Sequence, residues 1–242
     1  MFANIASTLD NSTWKEHLIK GQSVLDELNI ISGADETDKG WHDSFERYVD
    51  NLAARTCHSK NLPCKADDPL KCVSPALTDS VFRMGQYEYS YIYRDHPESL
   101  AASAASFGVW VAELAQHWRE KVDAKQPDVV FRQHFANIGG ISRLLSILQT
   151  DVMVLPGMGA ELSFELWFKR PWDERHIHVP DNEARDPQDF FVRVLWGGRP
   201  LRSSNPTLGT LDMIPLQTIM AYFDDLVGVI GEKIPAMCTS DP

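Results

Sequence analysis

A mixed α/β fold rich in helix is predicted, with a helical layer in residues 1–126 and a small three-stranded sheet part in 127–242, together forming a single domain. Three observations predict it. Apolar residues recur at helical spacing through the first half, the period changes from about 3.6 to 2 beyond Pro127, and the later segments read in the order β-α-β and then β-α. The 242 residues, 43% hydrophobic and 24% charged, are enough to bury one core and exclude a disordered or collagen-like chain.

The first helix is expected over Thr13 to Ile30, where Trp14, Leu18, Leu25 and Leu28 share a face and Thr13-x-x-Glu16 reads as a capping box. A second spans Trp41 to Thr56, with Trp41, Phe45, Tyr48, Val49 and Leu52 as its apolar stripe. Pro63, Asp67, Asp68 and Pro69 mark a loop. Ser74-Pro75 is a cap followed by a proline in the first helical turn, opening a helix through Phe82, Gly85, Tyr89 and Ile92 that stops near Asp95. Pro97 starts the longest helix, carried by Leu100, Ala104, Phe107, Val111, Leu114, Trp118 and Val122 to about Lys125, and Pro127 forbids its continuation.

Val129-Val130-Phe131-Arg132-Gln133-His134-Phe135 is then a strand candidate, and Gly139-Gly140 leads into a short helix on Ile141, Leu144, Leu145 and Leu148. A second strand is expected over Glu161 to Phe168, where Leu162, Phe164, Leu166 and Phe168 alternate with Ser163, Glu165 and Trp167. Lys169 to Asp189 is charged and proline-bearing, too long for a tight hairpin. A third strand, Phe190 to Trp196, closes on Gly197-Gly198, and a last helix follows Pro215 with Leu216, Ile219, Met220, Phe223 and Leu226 buried. There is no internal repeat.

The balance of 23 Lys and Arg against 34 Asp and Glu gives a formal net charge of −11, with the basic residues scattered, so no nucleic-acid partner is expected. No apolar run approaches the roughly 20 residues of a membrane span, and the start, Met1-Phe2-Ala3-Asn4-Ile5-Ala6, lacks the basic and apolar regions of a secretory leader. No membrane partner and a cytoplasmic location are the expectations. Four cysteines, Cys57, Cys64, Cys72 and Cys238, permit two disulfides or remain free thiols, and their spacing does not fit the tight Cys-x2-Cys pairs of a structural zinc site.

The junction of the first strand with its helix is the candidate site, because N–H groups at a helix start, helped by Gly139 and Gly140, can receive an anion or a carbonyl. Arg132, His134 and Asn137 gather there. The same residues also fit the solvent face of an edge strand. His176 and His178, beside Asp173 and Glu174, read either as metal ligands or as a solvated loop, and the loop is the reading adopted: no metal and no cofactor are expected.

Longer runs carry a resemblance. Phe82-Arg83-Met84-Gly85-Gln86-Tyr87-Glu88-Tyr89-Ser90-Tyr91-Ile92-Tyr93-Arg94-Asp95, Pro156-Gly157-Met158-Gly159-Ala160-Glu161-Leu162-Ser163-Phe164-Glu165-Leu166 and Arg193-Val194-Leu195-Trp196-Gly197-Gly198 look like the C-terminal half of fungal histidine acid phosphatases, the phosphoglycerate-mutase-like proteins. Leu201-Arg202-Ser203-Ser204-Asn205-Pro206, Leu208-Gly209, Ala54-Arg55-Thr56-Cys57-His58 and Leu62-Pro63-Cys64 extend the likeness over nearly the whole chain. It implies a truncated histidine phosphatase-like fold in which the helical layer is the cap. Members of that family are commonly secreted, which would account for the cysteines.

The family attacks phosphate monoesters with a histidine in an Arg-His-Gly motif and protonates the leaving group from a His-Asp-Gly motif. No Arg-His-Gly occurs here; the one Arg-His pair, Arg175-His176, is followed by Ile177. The second motif aligns with Asn137-Ile138-Gly139, an amide and a hydrocarbon in place of imidazole and acid. Losing a unit of that kind typically costs on the order of 10⁶ in kcat, so phosphatase activity is not expected.

Two functions follow as expectations. One is a repurposed, cofactor-independent isomerase or cyclase of fungal specialised metabolism, of the kind a pericyclase exemplifies, acting on an apolar carbonyl-bearing small molecule. Asn137, His134, Arg132 and Glu161 would do its chemistry, and Gly139, Gly140, Tyr87 and Tyr91 would bind substrate. The other is a non-catalytic pseudophosphatase acting as a binding or scaffold protein. A homodimer is expected in either case, because the half that the resemblance leaves out supplies central strands and an open sheet edge must be closed.

Overall fold

The computed structural model of the chain describes residues 11–35, 37–123, 129–169 and 186–239. Its architecture is mixed α/β, rich in helix, with small antiparallel sheets. The chain divides into two compact units, Phe2–His96 and Pro97–Pro242. The division falls ahead of the long helix, which belongs to the unit that carries the larger sheet.

In the N-terminal unit α1 (Ser12–Ser32) is capped by Asn11, whose side chain accepts the Trp14 N–H at 2.8 Å, in place of the expected box at Thr13. The helix expected over 41–56 is split into α2 (Lys39–His42) and α3 (Glu46–Cys57). Long-range bonds take the backbone at the break: the Asp43 carbonyl accepts Trp14 Nε1–H at 2.9 Å, and the Phe45 N–H goes to the Glu88 carboxylate at 2.8 Å. No local pattern encodes those partners. The expected cysteine loop is a hairpin, β1 (Cys64–Lys65) against β2 (Asp68–Cys72), closed by a Cys64–Cys72 disulfide. Cys57 and Cys238 are free and exposed.

α4 (Pro75–Ser90) starts as expected, with the Ser74 hydroxyl accepting the Leu77 N–H at 3.1 Å, and runs into a π-helical turn at Tyr91–Asp95. It approaches α3 so closely that a Cβ at Gly85 would stand 2.3 Å from Val49 Cγ2. Trp14, Phe45, Val49, Leu52, Val81 and Tyr89 form the buried interior of this unit.

In the C-terminal unit α5 (Ser99–Val122) is the spine. On one side α6 (Ile138–Ile147) docks through Arg143 Nη1 donating to Ser103 Oγ and Ser146 Oγ donating to the Ser99 carbonyl, each at 3.3 Å. On the other, Gly108 lets Val227 of the last long helix approach. The strand expected over 129–135 is absent: these residues follow no regular structure and join no ladder among the described residues. A strand exists only through its partner, and none is offered here.

The sheet is built instead on β4 (Phe190–Trp196), which pairs antiparallel with β3 (Leu162–Phe168), Phe164 opposite Val194 and Leu166 opposite Val192. Two short strands not foreseen, β5 (Arg199–Pro200) and β6 (Ile214–Pro215), complete four strands where three were expected. Phe190, Val192 and Val194 are buried beneath α7 (Leu216–Val227), whose Leu216, Ile219, Phe223 and Val227 form its inner face. A short α8 (Ile234–Thr239), also not foreseen, closes the unit. Among the described residues no helix is long and apolar enough to cross a membrane.

Candidate functional site

The start of α6 lies where the glycine pair places it. Asn137 has extended backbone angles and its Oδ1 accepts the Gly140 N–H at 3.0 Å, which makes it the N-cap of the helix. The amide oxygen thus helps to close the helix end, and the Nδ2 donor is not part of the cap. Gly140 also has a packing reason, since a Cβ there would come within 3.1 Å of the Phe107 ring and of Ala136 Cβ.

His134 is exposed and lies edge-on to Trp110 at 5.6 Å, and Trp110 contacts Phe164 of β3 at 5.5 Å and Phe107 at 6.4 Å. Half-buried aromatic rings from α5 and β3 therefore lie beside the helix start. Arg132 is exposed on the same segment. Glu161 is exposed too, held at the head of β3 by Ser163 Oγ at 2.6 Å and by the Gly197 N–H on its carbonyl at 3.0 Å. The two cavities found in the N-terminal unit contain none of Asn137, His134, Arg132, Glu161, Gly139 or Gly140.

Tyr87 and Tyr91 belong to that unit, where their rings stack at 6.1 Å and Tyr91 Oη accepts Asn11 Nδ2–H at 2.8 Å. Tyr87 also stacks on His17 at 4.6 Å. Behind it sits a pair that the apolar patterns concealed. His17 Nε2 lies 3.0 Å from Glu88 Oε1, and both residues are buried. Burial pushes the Glu88 carboxyl up, while its hydrogen bonds to His17 and Phe45 pull it down. The signal was available: His17 falls in the stripe of Trp14, Gly21, Leu25 and Leu28, and Glu88 in that of Leu77, Val81 and Gly85, and a polar residue inside an apolar stripe needs a partner.

Among the described residues no group of three or more His, Cys, Asp or Glu side chains could hold a metal ion. His176 and His178, with Asp173 and Glu174, lie outside the described residues. No protein-family model matches the chain, and no curated protein matches it.

Proposed function

We propose that the chain is a non-catalytic binding protein with a phosphatase-like ancestry, which assembles with a second copy of itself through residues 129–138. One observation carries this reading. Val130 is 92% exposed, Phe131 75% and Phe135 91%, in a segment of strand-forming composition whose backbone joins no ladder among the described residues. Pairing the segment with its own copy, antiparallel about Arg132, sets Val129 opposite Phe135 and Phe131 opposite Gln133 and satisfies both backbones. In the run that resembles the acid-bearing motif, Asn137 caps a helix and Ile138 has no titratable group, which supports binding over hydrolysis.

Sedimentation at micromolar concentration tests it. The wild type is expected as a dimer and the variant Phe131→Asp with Phe135→Asp as a 27.3 kDa monomer; a monomeric wild type would refute the self-association.

The isomerase or cyclase reading rests on the aromatic rings of Phe107, Trp110 and Phe164 beside His134, a surface on which an apolar substrate could lie. Its test is comparative metabolite profiling of the host with and without the gene, repeated with His134→Ala. If this reading holds, the variant loses conversion by roughly 10².

A further inference from the structure

We propose that the N-terminal unit holds a separate binding site for a small, neutral aromatic alcohol, a phenol in the simplest case, which packs beside Tyr87 and hydrogen-bonds to His17. A cavity of about 260 Å³ is lined there by Thr13, Glu16, His17, Lys20, Met84 and Tyr87. It is smaller than the roughly 300–1,000 Å³ of sites for drug-sized ligands, which limits the occupant to about one ring.

The His17–Glu88 pair is costly for a purely structural element. The two side chains are only 6% and 4% exposed, and apolar residues of similar volume would fill the space without a desolvation penalty. The pair is also oriented. Glu88 Oε1 and Oε2 both accept the Phe45 N–H, at 3.0 and 2.8 Å, and Oε1 meets His17 Nε2, so the carboxylate fixes the imidazole as a second partner fixes a ligating or catalytic histidine. His17 Nδ1 makes no hydrogen bond among the described residues, yet it is not one of the buried polar atoms sealed away without a partner. We place the ligand's hydroxyl on this remaining nitrogen, in the cavity that His17 lines.

The rest of the lining selects the ligand's character. Glu16 and Lys20 form an ion pair at 2.8 Å, which cancels their charges at the rim and gives an ionic ligand no net attraction. Met84 and the ring of Tyr87, itself stacked on His17 at 4.6 Å, present polarisable surface suited to an aromatic ring. A hydroxyl both gives and accepts a hydrogen bond, so it meets Nδ1 whichever ring nitrogen carries the proton.

The test is a titration of the full chain with p-cresol and, separately, with toluene, followed by NMR of the histidine and tyrosine rings. Expected are saturable shifts at His17 and Tyr87 with p-cresol bound at least about tenfold more tightly than toluene. Tyr87→Ala, at a partly exposed position, should weaken both ligands about equally. His17→Phe with Glu88→Gln, which keeps an acceptor for the Phe45 N–H, should abolish the preference for p-cresol while toluene still binds. Equal affinity for the two ligands, shifts confined to other residues, or no shift up to about 10 mM p-cresol would overturn the site.

Discussion

At Glu88 the contest between burial and hydrogen bonding sets the sign of a pH effect. Burial is the larger influence and raises the carboxyl above its ordinary range. The folded state then holds the proton more tightly than the unfolded chain, so this contribution is complete below the unfolded value of about 4.3 and is lost as pH rises through the folded one. Glu88→Gln should therefore flatten a decline in stability across that window, as read by urea unfolding at a series of pH values. A decline just as steep in the variant would remove Glu88 as its source. Asn137 poses a simpler question. Its Oδ1 caps α6, so Asn137→Ala should cost about 1 kcal/mol of unfolding free energy, and Asn137→Ser or Asn137→Asp should restore most of it. The sequence marks this residue as special, and its part as a helix cap shows only once the Gly140 N–H is seen to take the oxygen. His17 and Glu88 were harder to read because their partners are remote in sequence, 71 residues apart.

Elements defined by neighbouring residues were legible. The Ser74-Pro75 start of α4 and the whole of β4 from Phe190 to Trp196 follow from capping, proline geometry and alternation, while α5 opens at Ser99, two residues past the expected Pro97. Elements that depend on distant partners were not. The break between α2 and α3 is made by Trp14 and Glu88, the hairpin at Cys64–Cys72 by a disulfide, and 129–135 reads like a strand but pairs with none among the described residues. The close approach of α3 to α4 gives a test at this scale. A methyl at Gly85 would meet Val49 Cγ2 at 2.3 Å, so Gly85→Ala should destabilise the N-terminal unit by roughly 1–3 kcal/mol. Adding Val49→Ala should return part of that loss, and a strictly additive double variant would mean that the two side chains do not compete for the same space.

For the molecule as a whole, composition and periodicity were enough for the fold class, and they said little about how the chain divides. The long helix reads as a continuation of the helices before it, yet Ser99, Ser103 and Gly108 along its length are the points where α6 and α7 settle, which assigns it to the C-terminal unit. The candidate residues divide in the same way. Tyr87 and Tyr91 join His17 in one unit, and Asn137, His134, Arg132 and Glu161 lie in the other, all four exposed. That distribution is why self-association through 129–138 is the central claim. Hydrogen exchange of the full chain at several concentrations tests it most directly. If two copies pair these segments, the amides of Val129 to Phe135 should become protected as concentration rises, while β3 and β4 stay equally protected throughout. Exchange of those amides that is fast and independent of concentration would contradict it.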